Sequence, residues 1–260
     1  MNADTVDRYL ARIGASRSDD VATLQARHLA SVPFENLDIH LGVLIELNES
    51  ALVSKVIERR RGGFCYELNG LFAMLLRGLG HHVDMLAARV HGDSGLGPPF
   101  DHMALVVSGH ERLLVDVGFG QFTARPLRFD DRGDQRDPSG CCRLVDTAVG
   151  DVDVLIDDAP QYRLELRPRR LDDFVPTCWW QQTSPDSHFT EGPVCSMPSG
   201  GGRVTLRGDR LIRTVGVARQ ETRLDSDEAV LDAYRKYFGM ELQAVPRAGG
   251  SGARRAPHRG

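Results

Sequence analysis

Arg61-Gly62-Gly63-Phe64-Cys65-Tyr66-Glu67-Leu68-Asn69-Gly70, followed directly by the apolar run Leu71-Phe72-Ala73-Met74-Leu75-Leu76, is the most informative segment of the chain. Two glycines precede a cysteine, and a helix-forming run follows it, so Cys65 falls where a loop becomes a helix. The unpaired N–H groups of a helix's first turn and the helix dipole favour negative charge, which stabilises a thiolate there. Arg61 adds positive charge nearby. Gly62 and Gly63 permit tight backbone conformations and close approach of a ligand. The plainer alternative is a buried structural thiol beside a glycine turn, because free cysteine is among the most buried residue types.

Two segments further along favour chemistry. Phe100-Asp101-His102-Met103-Ala104-Leu105-Val106-Val107 reads as the start of a strand, and Leu113-Leu114-Val115-Asp116-Val117-Gly118-Phe119-Gly120 as a second strand ending in glycines. Ser108-Gly109-His110-Glu111 between them reads as a hairpin loop. In an antiparallel pair His102 and Asp116 lie at corresponding ends. A histidine can deprotonate a thiol, and a buried carboxylate can fix the histidine tautomer and stabilise its cation.

With these motifs the chain resembles the arylamine N-acetyltransferases, from about residue 6 to about residue 214. The anchors are Val32-Pro33-Phe34-Glu35-Asn36-Leu37-Asp38, the segment from Arg61 to Gly70, Asp116-Val117-Gly118-Phe119-Gly120 and, more weakly, Ser184-Pro185-Asp186-Ser187-His188-Phe189. Each is short, but four in this order are specific. The resemblance implies Cys65 as nucleophile, His102 as base and Asp116 as the acid that orients it. It also implies an acceptor pocket lined by Phe34, Phe119 and Phe189, each of which can equally be core, and a coenzyme A loop at Gly118 and Gly120. Glu35 and Arg61 match positions that pair as ions in the family. The implied reaction is transfer of acetyl from acetyl-CoA, a co-substrate rather than a tightly bound cofactor, to an arylamine or arylhydrazine through a Cys65 thioester. Related ansamycin amide synthases share the triad but take a polyketide from an acyl carrier protein and close a macrolactam, and that alternative stays open. A thiol hydrolase or transglutaminase-like enzyme uses the same three residue types, but the four motifs together argue against it. They argue equally against a non-catalytic binding module.

Composition agrees. The 260 residues carry a formal net charge of −4 with a pI near 6.1, which gives no global attraction to nucleic acid. No apolar run approaches the roughly 20 residues that span a membrane, and the N-terminus lacks the pattern of a secretory signal. Five cysteines, an odd number with no C-x-x-C spacing, argue against a disulfide framework or a metal site and for a reducing, cytoplasmic setting.

The expected fold is α+β. Residues 1–82 read as a helical domain carrying the cysteine, with caps at Thr5, at Asp19 or Asp20, and at Ser50. Residues 83–185 read as a β-barrel or sandwich carrying the histidine and acid, and 186–244 as a small α/β part closing on a helix from about Asp227 to Phe238. Residues 245–260, rich in Gly, Arg and Pro, read as a disordered tail. The site falls at the junction of the first two parts.

Overall fold

The helix that begins at Cys65 runs to Gly78 and is nearly wholly buried, because Leu68, Leu71, Phe72, Leu75 and Leu76 leave almost none of its surface polar. In the computed structural model, which describes residues 1–93 and 95–249, this helix belongs to a compact unit formed by Met1–Phe34 and Glu46–Thr177. Helices Ala3–Ile13 and Val21–Ser31 belong to the same unit. The first is capped by Asn2, whose side chain accepts the Thr5 N–H, and the second by Asp20. Asn48 rather than Ser50 caps Glu49–Val53, and the chain continues into a π-helical turn, Ser54–Glu58.

Strand Arg112–Val115 pairs antiparallel with His102–Ser108, which pairs in turn with His82–Gly92. Ala159–Arg169 lies on the far side of His82–Gly92, followed by Val152–Ile156, Gly140–Asp146 and Gln135–Asp137. The outer strand at the opposite edge is Leu127–Arg128. The two outer strands meet through one side chain: the Gln135 amide accepts the Arg128 N–H at 2.7 Å and donates to the Arg128 carbonyl at 3.0 Å. The sheet is therefore nearly closed, and Leu86, Val106, Leu114, Leu144, Val154 and Leu164 belong to a single apolar cluster built on it.

A second unit comprises Glu35–Ile45 and the chain from Cys178 onward. Strands Val194–Ser199, Gly202–Arg207, Arg210–Val215 and Ala218–Arg223 form an antiparallel meander. Helix Asp227–Phe238, capped by Ser226, contributes Val230, Tyr234 and Phe238 to a core shared with Leu206 and Leu211. Val245 packs against that core, and Arg247 pairs with Asp227. The remainder of the expected tail, residues 250–260, lies outside the described residues. Among the described residues no helix is long and apolar enough to cross a membrane, and no cluster of three or more His, Cys, Asp or Glu side chains is arranged to hold a metal ion.

Candidate active site

The sheet register brings His102 and Asp116 together. Leu105 faces Val115 and Val106 faces Leu114. Continuing that register sets Asp116 opposite Ala104, with His102 its diagonal neighbour on the same face. Both side chains are buried, and His102 Nε2 lies 2.7 Å from Asp116 Oδ2. A carboxylate only accepts, so this contact places the proton on Nε2 and leaves Nδ1 as the basic nitrogen.

Cys65 lies against the segments that flank this pair. Gly118, two residues beyond Asp116, runs so close to the helix start that a Cβ there would lie 2.7 Å from Cys65 Cα and 3.0 Å from its carbonyl oxygen. Gly118 N–H donates to Asp116 Oδ1 at 2.9 Å. The Cys65 sulfur faces the carbonyl of Asp101, the residue before His102, at 4.0 Å. Gly62 serves a similar close approach: a Cβ there would meet the Pro33 carbonyl oxygen at 1.9 Å, so the loop that delivers Cys65 lies flush against the chain at Pro33.

Asn69, which the motif contains but to which the sequence assigned no role, joins the three elements. It lies one helical turn after Cys65 and is fully buried. Its Nδ2 donates to Asp116 Oδ1 at 2.9 Å and to the Met103 carbonyl at 2.6 Å, while its Oδ1 accepts the Val117 N–H at 2.9 Å. One side chain thus stitches the Cys65 helix to the His102 strand and to the Asp116 loop. Tyr66 donates to the Phe100 and Asp101 carbonyls at 2.8 and 3.1 Å, steadying a turn in which Phe100 adopts a left-handed φ of 62°.

Aromatic rings wall the pair. Phe119 is half-buried, with its ring centroid 5.1 Å from that of His102 in an edge-on contact. Tyr162, on strand Ala159–Arg169, lies 5.0 Å from His102 and 5.2 Å from Phe119. Its buried hydroxyl sits beside Asp116 without reaching hydrogen-bonding geometry. Burial, and next the Asp116 charge, hold that phenol far above the ordinary range. The Phe34 ring packs against Gly120, whose φ is 90°. Phe189 belongs to the second unit, where its backbone carbonyl accepts from Asn36 Nδ2 at 2.9 Å and contacts His40 Nε2 at 3.0 Å. Glu35 there accepts the Leu37 N–H at 2.7 Å. Of the other thiols, burial pushes Cys142 up to about 11, and burial with the Asp134 charge raises Cys141.

The chain that carries this sheet, its His–Asp pair and the helix beginning at Cys65 matches a class of transferases along most of its length. The N-acetyltransferase family model matches residues 19–246. The chain is 36% identical over 250 residues to the arylamine N-acetyltransferase of Mycolicibacterium smegmatis, covering 90% of this chain and 91% of that protein. The solved structure of arylamine N-acetyltransferase from Salmonella typhimurium is similar with a TM-score of 0.84 at 29% identity, covering 94% of each chain. The Mycobacterium marinum enzyme, solved in complex with CoA, is similar with a TM-score of 0.80 at 32% identity over 90% of this chain and 92% of that one. This chain belongs to the arylamine N-acetyltransferase family and is a transferase.

Proposed function

We propose that the protein moves an acetyl group from acetyl-CoA to an arylamine or arylhydrazine through a thioester on Cys65. The observation that carries this reading is the buried His102–Asp116 pair at 2.7 Å, set beside a helix that begins with Cys65. The relative solved with CoA supports the donor.

In the first half-reaction His102 Nδ1 accepts the thiol proton and the Cys65 sulfur bonds to the acetyl carbonyl carbon. The carbon–sulfur bond to CoA breaks, and CoA leaves as a thiol carrying the proton that His102 returns. In the second, the amine nitrogen bonds to the same carbon, the Cys65 sulfur departs, and His102 takes the amine proton. Asp116 stabilises the imidazolium formed in each half. The Cys65 N–H, at the first turn of its helix, is one donor for the oxyanion. The aromatic wall of Phe119 suits a flat apolar acceptor, because small-molecule pockets are largely apolar with a few polar groups.

Mass spectrometry after incubation with acetyl-CoA tests this. One acetyl group is expected on the peptide containing Cys65, released on adding an arylamine and absent from Cys65→Ala. Acetylation at Cys141, or no covalent adduct under conditions where the amine is acetylated, would overturn the covalent mechanism.

A further inference from the structure

The nucleophile helix carries a negative charge where an incipient thiolate would not favour one. Glu67 lies two residues after Cys65, in the same first turn, and is 1% exposed. Its Oε2 accepts the Phe64 N–H at 3.2 Å, bracing the turn that presents Cys65. A carboxylate suits a helix N-terminus, yet it repels a second anion forming in that turn. The groups around it address the conflict. Lys55, on the π-helical turn Ser54–Glu58, is 3% exposed, and its ammonium lies 2.7 Å from Glu67 Oε1. The chain between the two is drawn in by the Arg61 N–H, which donates to the Lys55 carbonyl at 3.0 Å. From the other side Arg12 donates to the Val56 carbonyl at 3.2 Å. A lysine at this depth is rare without a partner, and π-helical turns recur at functional sites.

We propose that Lys55 is a positioning residue for Cys65: by holding Glu67 in a neutral ion pair, it lets Glu67 brace the Phe64–Cys65 turn without its charge opposing the thiolate. The inference rests on Cys65 being the reacting thiol. Other charged or titratable groups on elements around Cys65 include Tyr66 and Arg77 on its own helix, Arg61 on the preceding loop and Arg12 on the helix packed beside the Lys55 turn. Across from it are Asp101, His102, Asp116 and Tyr162 on the strands and their loops. Substituting Lys55 and Glu67 changes the pair at 2.7 Å and leaves the His102 and Asp116 side chains untouched.

The test is the pH profile of iodoacetamide alkylation at Cys65, followed on the Cys65 peptide by mass spectrometry. It compares the parent with Lys55→Met, Glu67→Gln and the variant carrying both. A unit charge left uncompensated within roughly 10 Å of a thiol, at an effective dielectric of about 20, moves its inflection by about one pH unit or more. Lys55→Met is expected to shift it upward and Glu67→Gln downward. The double variant, with a neutral and nearly isosteric pair, returns close to the parent. Superimposable profiles, or single variants that shift in the same direction as mere loosening of the turn would cause, overturn the proposal. If Lys55→Met does not fold, the downward shift in Glu67→Gln and its reversal in the double variant decide the matter. Alkylation needs no acyl donor, so a failure of acetyl-CoA to acylate Cys65 would count against the proposed reaction and leave this result readable.

Discussion

Replacing Asn69 by leucine, which has the same branching with bulkier methyl ends, removes three hydrogen bonds and opens no cavity. The bonds lost are those to Asp116 Oδ1 at 2.9 Å, to the Met103 carbonyl at 2.6 Å and from the Val117 N–H at 2.9 Å. Each buried group left without a partner costs about 1–3 kcal/mol. Asp116 Oδ1 keeps the Gly118 N–H, so the Val117 N–H and the Met103 carbonyl carry most of the loss. A total of about 3–5 kcal/mol is expected, a large part of the roughly 5–15 kcal/mol that holds a domain of this kind folded. Urea unfolding of Asn69→Leu beside the parent reads it directly. Acetyl transfer, measured where the variant is still folded, should fall about 10–100-fold, equivalent to about 1.4–2.8 kcal/mol, because the proposed mechanism needs Asp116 to orient His102 towards Cys65. A stability loss under about 1 kcal/mol would refute the stitching role. Full stability loss with unchanged transfer would show that Asn69 supports the fold and not the alignment.

Gly118→Ala should reduce transfer strongly, because its Cβ would lie 2.7 Å from Cys65 Cα and 2.7 Å from Asn69 Nδ2, and Cys65 Cα is backbone that cannot swing aside; steady-state kinetics on the folded variant check this, and near-parental rates would contradict the close approach. Acid sensitivity has an identifiable source in His28, whose ring meets the Tyr9 hydroxyl at 2.9 Å and whose folded pKa burial lowers to about 3. Unfolded, the ring takes up a proton near 6.5, so the unfolded state binds more protons between those values. The stability is fully present above about 6.5 and is lost as pH falls towards 3. From pH 7 to pH 5 this one residue should account for about 2 kcal/mol. Unfolding free energies at the two pH values should converge in His28→Asn, and an undiminished slope in that variant would assign the acid sensitivity elsewhere.

The sequence made the hairpin legible because Leu105, Val107, Leu113 and Val115 surround a Gly-containing loop, and it made the final helix legible because Ser226 stands before a stripe of Val230, Tyr234 and Phe238. Helix starts were harder. Asn2 and Thr5 are both capping residue types three positions apart, Asn48 and Ser50 two apart, and the extended ψ of Asn2 and Asn48, 170° and 158°, marks them as the caps. A signal for Asn69 was present: it lies four residues after Cys65, hence on the same helix face. Tyr162 had no such signal. It reaches His102 only because Ala159–Arg169 pairs with His82–Gly92, some 70 positions earlier (162 against 90), and nothing local specifies that neighbour. Lys55 carries no local signal that it is buried against Glu67, twelve positions later.

The Gln135 amide that joins the two outer strands has a consequence for the protein's behaviour in a crowded solution. An open sheet offers a row of unpaired N–H and carbonyl groups to any passing strand, and natural proteins blunt such edges with charge, proline, bulges or cover. Here Gln135 turns both polar groups of Arg128 inward, so two exposed edges become one seam. Arginines 128 and 132, paired with Asp131 and Asp146, put charge along that seam. Together with Asp137, which accepts the Ala124 and Arg125 N–H groups, Gln135 leaves fewer edge groups in this sheet open to another chain.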